Sequence, residues 1–277
     1  MAGRVWFLRR PEESVAVAGS AFDPALIVRP LRSAEGAAGS LRLWKTLQWI
    51  EGYRAALLSV VEGESEAVRR LVSGHEPDGR ALEEPHVALF PVPFVGEPGA
   101  NGSIVAFAVA VPRGVSREVR AAVLRVVERV EQLSLGRGGR WRLGPTVSTS
   151  SPGLWDRSQW TAEPCGARHW ATVTPVAFDR HPRTRRGQGK EEDIASLLRA
   201  SCRRAGLPEP TEVMVTSASP HAGVPPAHAF PPLGRKDGSI RQHVHAILVF
   251  GEPVCGPILI GAGRYRGYGL FRRLGPQ

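Results

Sequence analysis

The chain is short of cysteine, short of lysine and without a long apolar run, and each shortage removes a class of protein. Only three cysteines occur in 277 residues, Cys165, Cys202 and Cys255. They are odd in number and far apart, so they build neither a disulfide framework nor a Cys-x-x-Cys zinc site. They read as reduced thiols of a cytoplasmic protein. No apolar stretch approaches the ~20 residues a membrane-spanning helix needs. The opening Met1-Ala-Gly-Arg-Val-Trp-Phe-Leu-Arg-Arg10 carries too short an apolar stretch for a secretory leader. Two glycine motifs are missing as well. A Walker loop needs Gly-Lys-Ser/Thr, and a dinucleotide fingerprint needs a carboxylate about twenty residues after its glycines. No acidic residue follows Gly263.

What the chain has in excess is arginine. The net charge is +10, from 33 arginines and three lysines against 26 acidic residues. Arginine favours bidentate phosphate contact and stacking over simple solubility. A GC-rich gene also inflates arginine, so charge alone ranks partners without choosing one: nucleic acid first, anionic membrane second.

The densest signal is the tail from Pro257 to Leu274, where glycine alternates with arginine and tyrosine. Gly261, Gly263, Gly267 and Gly269 remove side chains, so a polyanionic backbone can lie against exposed main-chain N–H groups. Arg264, Arg266 and Arg272 supply charge, while Tyr265 and Tyr268 supply faces for base stacking. The segment reads as a clamp for a nucleic-acid strand. The plainer alternative is a turn joining two C-terminal strands, with solvated arginines.

Periodicity gives the organisation. Ala25–Leu31 is a strand, and Leu43, Leu47, Ile50, Leu57 and Val61 share one helix face. The polar stretch 62–84 reads as a mobile connection. His86–Val95, with two prolines, predicts an edge strand, and Ile104–Val111 a buried one. Ser116 offers an N-cap to a helix with Val119, Val123, Val126, Val130 and Leu133 inward, and Trp141–Leu143 closes the unit. After a Ser/Thr/Pro/Gly stretch at 145–153 the layout begins again. Strands are expected at 172–178, 212–217 and 243–250, with a helix at 192–205. The second helix of this half is shortened or replaced by the glycine loop. The fold class is therefore α+β: two tandem ferredoxin-like (RRM-like, βαββαβ) domains with a C-terminal glycine-rich loop. The expected boundaries are an N-terminal segment or linker remnant at 1–22, a first domain at 23–150 and a second at 151–277.

This layout and several stretches resemble the RAMP superfamily of CRISPR systems, and within it the endoribonucleases that process repeat RNA. Ser73–Gly79, Pro85–Gly96, Arg168–Pro175, Arg241–His245 and Gly261–Arg272 look most like the type I-U (I-G) subfamily, and together they span most of 73–274. Members of that subfamily usually carry a further N-terminal RAMP domain of the capping kind. This chain is too short for it and resembles the processing half alone. The resemblance implies metal-independent cleavage of precursor CRISPR RNA within the repeat. A ribose 2′-hydroxyl attacks the adjacent phosphate and leaves 2′,3′-cyclic phosphate and 5′-hydroxyl ends. It implies no cofactor. The implied partners are repeat or guide RNA and other effector-complex subunits, including a capping RAMP domain; the product remaining on the protein is part of the same expectation.

Such a reaction needs a group to accept a proton, one to donate it and a cation near the phosphorane. Histidine suits either proton role. His75, between Gly74 and Gly79, is the first candidate, because the family's catalytic histidine commonly lies in or just after the first helix. Glu76 and Asp78 would orient it and Arg80 would contact the phosphate. The plainer reading is an exposed loop histidine. His86 is the second candidate, against a strand-end histidine bonded to backbone. Tyr53 is a third, against simple packing. His243 and His245 share a strand face; they line an RNA groove, orient the glycine loop, or pack, and no third ligand completes a metal site. Arg183, Arg185, Arg186 and Lys190 belong to a basic loop that reads as phosphate-contacting, or else merely solvated. Trp155, Trp160 and Trp170 read as packing residues. Two rivals to cleavage stand: a non-catalytic RAMP subunit that binds guide RNA, and an unrelated RNA-binding or ligase-like protein of the same two-lobed fold.

Overall fold

Strand alternation and helical spacing, repeated twice along the chain, are realised as two sheets. The computed structural model describes residues 17–34, 39–147, 156–182, 190–235 and 237–275. Its first elements are β1 (Ala18–Gly19), β2 (Ile27–Ser33), α1 (Thr46–Val60), α2 (Glu66–Ser73), β3 (Ala88–Pro93), β4 (Ile104–Ala110), α3 (Arg117–Arg129), β5 (Gln132–Ser134) and β6 (Arg140–Leu143). There follow α4 (Ser158–Thr161), β7 (Ala167–Thr172), β8 (Val176–Ala177), α5 (Lys190–Arg204), β9 (Glu212–Thr216), β10 (His243–Cys255) and β11 (Phe271–Arg273).

The first sheet is antiparallel in the order β3-β4-β2-β6-β5. The second has β10 between β9 and β7, with β11 beyond β7, again antiparallel. In each unit the second strand lies beside the third, the third beside the first and the first beside the fourth, which is the ferredoxin-like arrangement. Between β10 and β11 residues 256–270 form no helix, and the glycine loop stands in that place. β1 adds to the second sheet, parallel to the end of β10.

The layers follow from which faces are apolar. Helices α1, α2 and α3 cover the outer face of the first sheet through Ile50, Leu57, Val68, Val123 and Val126. Helix α5 covers the second through Ile194, Leu197, Leu198 and Cys202. The remaining faces pack against each other: Val28, Phe90, Ala106, Ala108 and Ala110 meet Trp160, Val173, Phe230, Leu259, Tyr268 and Leu270. Alternating alanines on β4 let the second unit approach closely, at ~25 cal/mol for each Å² of apolar surface removed from water. Trp160 and Trp170 are buried as expected, and Trp155 lies outside the described residues. No helix among the described residues is long and apolar enough to cross a membrane.

The expected connection at 62–84 is corrected, because it contains α2. Val68 and Val72 are its only buried residues, one turn apart on the core side. Val68, Leu71 and Val72 do follow helical i, i+3, i+4 spacing, but over a single short stretch set among charged residues and glycines, so the polar composition hid it. The helix stops at Gly74, which adopts φ +70° and donates its N–H to the Arg70 carbonyl at 2.8 Å. Helix α3 starts as expected, with the Ser116 hydroxyl accepting from the Val119 N–H at 3.3 Å, a cap worth about 1 kcal/mol.

Candidate active site

Helix α1 buries Trp49, Ile50, Tyr53 and Leu57. The adjoining stripe of the same cylinder, Glu51, Arg54, Ala55 and Leu58, lines a cleft of about 450 Å³. Its other walls are the Ser73-Gly74-His75 corner after α2, His86 and Leu89 at the start of β3, and Ala262, Tyr265 and Arg266 of the glycine loop. Leu89 pairs with Arg266 as an isolated bridge, its N–H 3.5 Å from the Tyr265 carbonyl. The proline-containing edge of the first sheet is thus covered by the tail of the second unit. That juxtaposition is not legible in the sequence, which separates the two segments by nearly two hundred residues.

His75 is exposed, and its Nδ1 lies 2.9 Å from the Ser73 carbonyl. A carbonyl only accepts, so Nδ1 carries the hydrogen and the neutral ring keeps its lone pair on Nε2. The Arg54 guanidinium donates to the same carbonyl. Burial and the like charge of Arg266 pull the Arg54 pKa below the usual arginine value. Arg266 itself pairs with Glu51.

His86 stacks on Tyr265, with ring centroids 3.6 Å apart and planes at 23°, and Arg264 lies 4.6 Å over the Tyr265 ring. Gly74 admits this imidazole: a Cβ there would stand 2.6 Å from its Cδ2 and Nε2. Burial pushes the His86 pKa down to about 4, with Arg264, Arg54 and His75 acting the same way against a smaller opposing effect of the Glu84 carbonyl. At neutral pH His86 is therefore uncharged.

Several expected contributors have other work. Tyr53 is fully buried and stacks on Phe107 at 5.2 Å; burial raises its pKa further, so it reaches no substrate. Glu76 pairs with Arg70 at 2.6 Å and Asp78 with Arg80 at 2.7 Å, so neither carboxylate orients His75. Arg80 remains exposed at the loop tip. Tyr268 is fully buried and donates its hydroxyl to the Pro231 carbonyl at 2.6 Å, which removes it as a stacking face. His245 is buried between Thr172 Oγ1 and the Pro225 carbonyl, each at 2.9 Å. His243 approaches the Ala227 carbonyl with Nε2 at 2.8 Å and sets its ring edge-on to Tyr268. Of the three roles open to these histidines, packing beneath the glycine loop is the one seen. Arg272 is buried and paired with Glu97 at 2.6 Å, away from the cleft. Arg183, Arg185 and Arg186 and the Lys190 side chain lie outside the described residues.

The loop glycines serve packing, which corrects the expectation of a bare anion-binding strip. Gly261, Gly263, Gly267 and Gly269 are all buried. A Cβ on Gly263 would stand 2.5 Å from that of Tyr268, and one on Gly267 would stand 2.7 Å from Thr46 Cγ2. The N–H groups of Ala262, Arg264, Arg266, Tyr268 and Gly269 donate to carbonyls within the protein. The loop offers the cleft the side chains of Ala262, Tyr265 and Arg266, and little of its backbone. Arg54 was missed by sequence reasoning, although helical spacing carries a signal: it stands one position past buried Tyr53, on the stripe that looks outward.

Two ferredoxin-like units in tandem, packed face to face with a C-terminal glycine loop against the edge of the first, are the class of fold this chain adopts. A family model described as CRISPR-associated protein, GSU0054 family, matches residues 30–273, and the chain belongs to that family. No curated protein matches it by sequence. Among solved structures it is similar to "An RAMP protein binding different RNA substrates", at 12% identity and TM-score 0.45, covering 90% of this chain and 99% of that one. It is similar also to "CRISPR associated protein Cas6", at 7% identity and TM-score 0.46 over the same shares. A third is "Characterization of a Cas6-related gene from Pyrococcus furiosus", at 10% identity and TM-score 0.43, covering 91% and 99%. The ferredoxin-like assignment stands on strand order and register, independently of these likenesses.

Proposed function

We propose that the protein is a cytoplasmic, metal-independent endoribonuclease that cuts precursor CRISPR RNA within the repeat. The observation that carries this reading is the cleft itself. An imidazole with a free Nε2 stands there with Arg54 of its own unit and with Arg266, delivered by the loop of the other unit. His75 accepts the 2′-hydroxyl proton at Nε2 while the 2′-oxygen bonds to phosphorus. The bond to the 5′-oxygen breaks, and the imidazolium returns the proton to that oxygen. The hydrogen bond from Nδ1 to Ser73 holds the tautomer this needs. Arg54 and Arg266 face the charge that grows on the phosphorane, and an incoming phosphate also relieves the repulsion between them. Neutral His86 backs one face of Tyr265, and the face over which Arg264 lies takes the flanking base when that guanidinium turns to a phosphate.

The domain boundary near 150, retention of the guide's 3′ hairpin, and docking to other effector subunits with a capping RAMP domain belong to the same reading. Incubation of pure protein with its cognate repeat RNA in EDTA is the test. Cleavage leaving a 2′,3′-cyclic phosphate, lost in His75→Ala with binding retained, supports it. Normal cutting by His75→Ala with loss in His86→Ala moves the chemistry to the second histidine. No cleavage by intact protein overturns the enzyme reading in favour of a subunit that only binds guide RNA.

A further inference from the structure

The opposite edge of the first sheet carries a feature the cleft does not use. On β6, Trp141 and Leu143 turn inward while Arg140 and Arg142 are exposed. Arg142 stands directly across from Arg32 of β2 on one side and from Gln132 of β5 on the other, and Arg140 stands across from Ser134. Cross-strand partners share a face, so Arg32, Arg142 and Gln132 form one row with Arg140 and Ser134 in the next. Like charges directly opposite each other destabilise a sheet. Yet no carboxylate among the described residues pairs with Arg32, Arg140 or Arg142, whereas arginines elsewhere, such as Arg203 and Arg168, have acidic partners. Beside the row lies a depression of about 510 Å³ lined by Ser33, Ala34, Gln132, Arg140 and Arg142. A neighbouring depression on the other side of Arg142 contains Glu128 and Glu131, which repel an anion.

We infer that this arginine row is a second contact for single-stranded RNA, gripping its phosphodiester backbone over the Arg140–Arg142 depression. The row carries no aromatic side chain, so it holds phosphates and leaves bases unread. It lies three strand spacings, about 14 Å, across the sheet from β3 and the histidine cleft. An RNA held there is anchored away from the reacting bond, whether or not His75 cuts it. Unpaired guanidinium groups and uncharged hydroxyl and amide neighbours favour a polyanion over a folded protein surface.

The test is salt-dependent binding of a fluorescein-labelled oligouridylate to the full chain, which needs no cleavage and no cognate repeat. For each phosphate no longer neutralised, the slope of log affinity against log salt falls in magnitude by about 0.7 for a single strand. Arg32→Gln/Arg140→Gln/Arg142→Gln is expected to reduce that slope by about 2, with a melting temperature at or above wild type because a like-charge pair is gone. The matching triple lysine variant keeps the charge and is expected to retain the slope. Arg203→Gln, which removes a paired arginine, leaves it unchanged. A wild-type slope in the triple glutamine variant overturns the inference, and so does an effect confined to oligodeoxythymidylate. His75→Ala with unaltered binding but no cutting leaves this site standing, so failure of either reading is visible separately.

Discussion

Acidification from pH 7.5 to 5 is expected to weaken the fold by about 6 kcal/mol through three buried histidines. His86, His221 and His245 each titrate at about 4, in every case chiefly because burial disfavours the charged ring. Arg272 adds to this at His221, and His243 at His245. The unfolded chain titrates near 6.5, so between the two values it binds more protons than the folded chain. The folded pKa is depressed; stability is therefore complete above about pH 6.5 and is lost as the pH falls toward 4. At pH 5 the difference is about 2 kcal/mol per histidine. Three give about 6 kcal/mol, a shift on the order of 12 °C or more for a chain of this size. Thermal melts at pH 7.5, 6.5, 5.5 and 5.0 at constant ionic strength measure it, within a window that stops above the carboxylate range. His245→Gln is the internal control. It lowers the melting temperature at pH 7.5, because Thr172 and Pro225 lose their partner, and it removes about a third of the pH dependence. A melting temperature flat between pH 7.5 and 5, or an undiminished dependence in His245→Gln, would refute the reasoning.

Arg54→Met is expected to slow single-turnover cleavage by about 10- to 100-fold, the worth of one charge-assisted hydrogen bond, and to shift the pH–rate profile through its shared carbonyl with His75; Arg54→Lys recovers part of both. Tyr265→Ala should weaken RNA binding by about 1–3 kcal/mol in an anisotropy titration, the loss of one stacked base. Tyr268→Phe should leave that affinity unchanged and cost about 1 kcal/mol of stability, the single bond to Pro231. Gly269→Ala should lower stability by about 2 kcal/mol or more in denaturant unfolding, because its φ of +68° and the Ile260 carbonyl both exclude a Cβ.

The fold was largely legible because its signals are local. Val123 and Val126 at helical spacing, the Ser116 cap, and the prolines that confine β3 to an edge all speak within a few residues. The repeated βαββαβ order then follows from connection rules. Helix α2 escaped because its i, i+3, i+4 set of Val68, Leu71 and Val72 is only two turns long and sits in a stretch whose charge and glycines read as a connection. The site was half legible: His75 and His86 were singled out by residue chemistry and by family resemblance. Residue type, however, does not report burial. Tyr53, Tyr268, His245 and Arg272 carry the right groups and are buried by the fold: Tyr53 on the core side of α1, His245 within β10, Arg272 against Glu97, and Tyr268 in the loop against the Pro231 carbonyl. Arg54 carries an ordinary charge on an ordinary helix, and only the corner at Ser73 gives it a role.

The glycine loop changes meaning once its packing is known. Glycines chosen for ligand contact would leave open space above them; these four meet Ala177, Tyr268, Thr46 and Ile260 instead. The loop is therefore a closely fitted strap, and close fit makes Arg264, Tyr265 and Arg266 stationary relative to α1 and β3. His75, His86 and Arg54 come from the first unit, and Tyr265 and Arg266 from the second. The cleft then exists only where the units meet, and its geometry depends on the apolar contact between the sheets. A displacement of about 1 Å at a reacting group can cost two orders of magnitude in rate. A bulky substitution at Ala106 or Ala108, remote from every polar group of the cleft, should accordingly impair cleavage more than it impairs phosphate-driven RNA binding, since binding depends on charge at longer range.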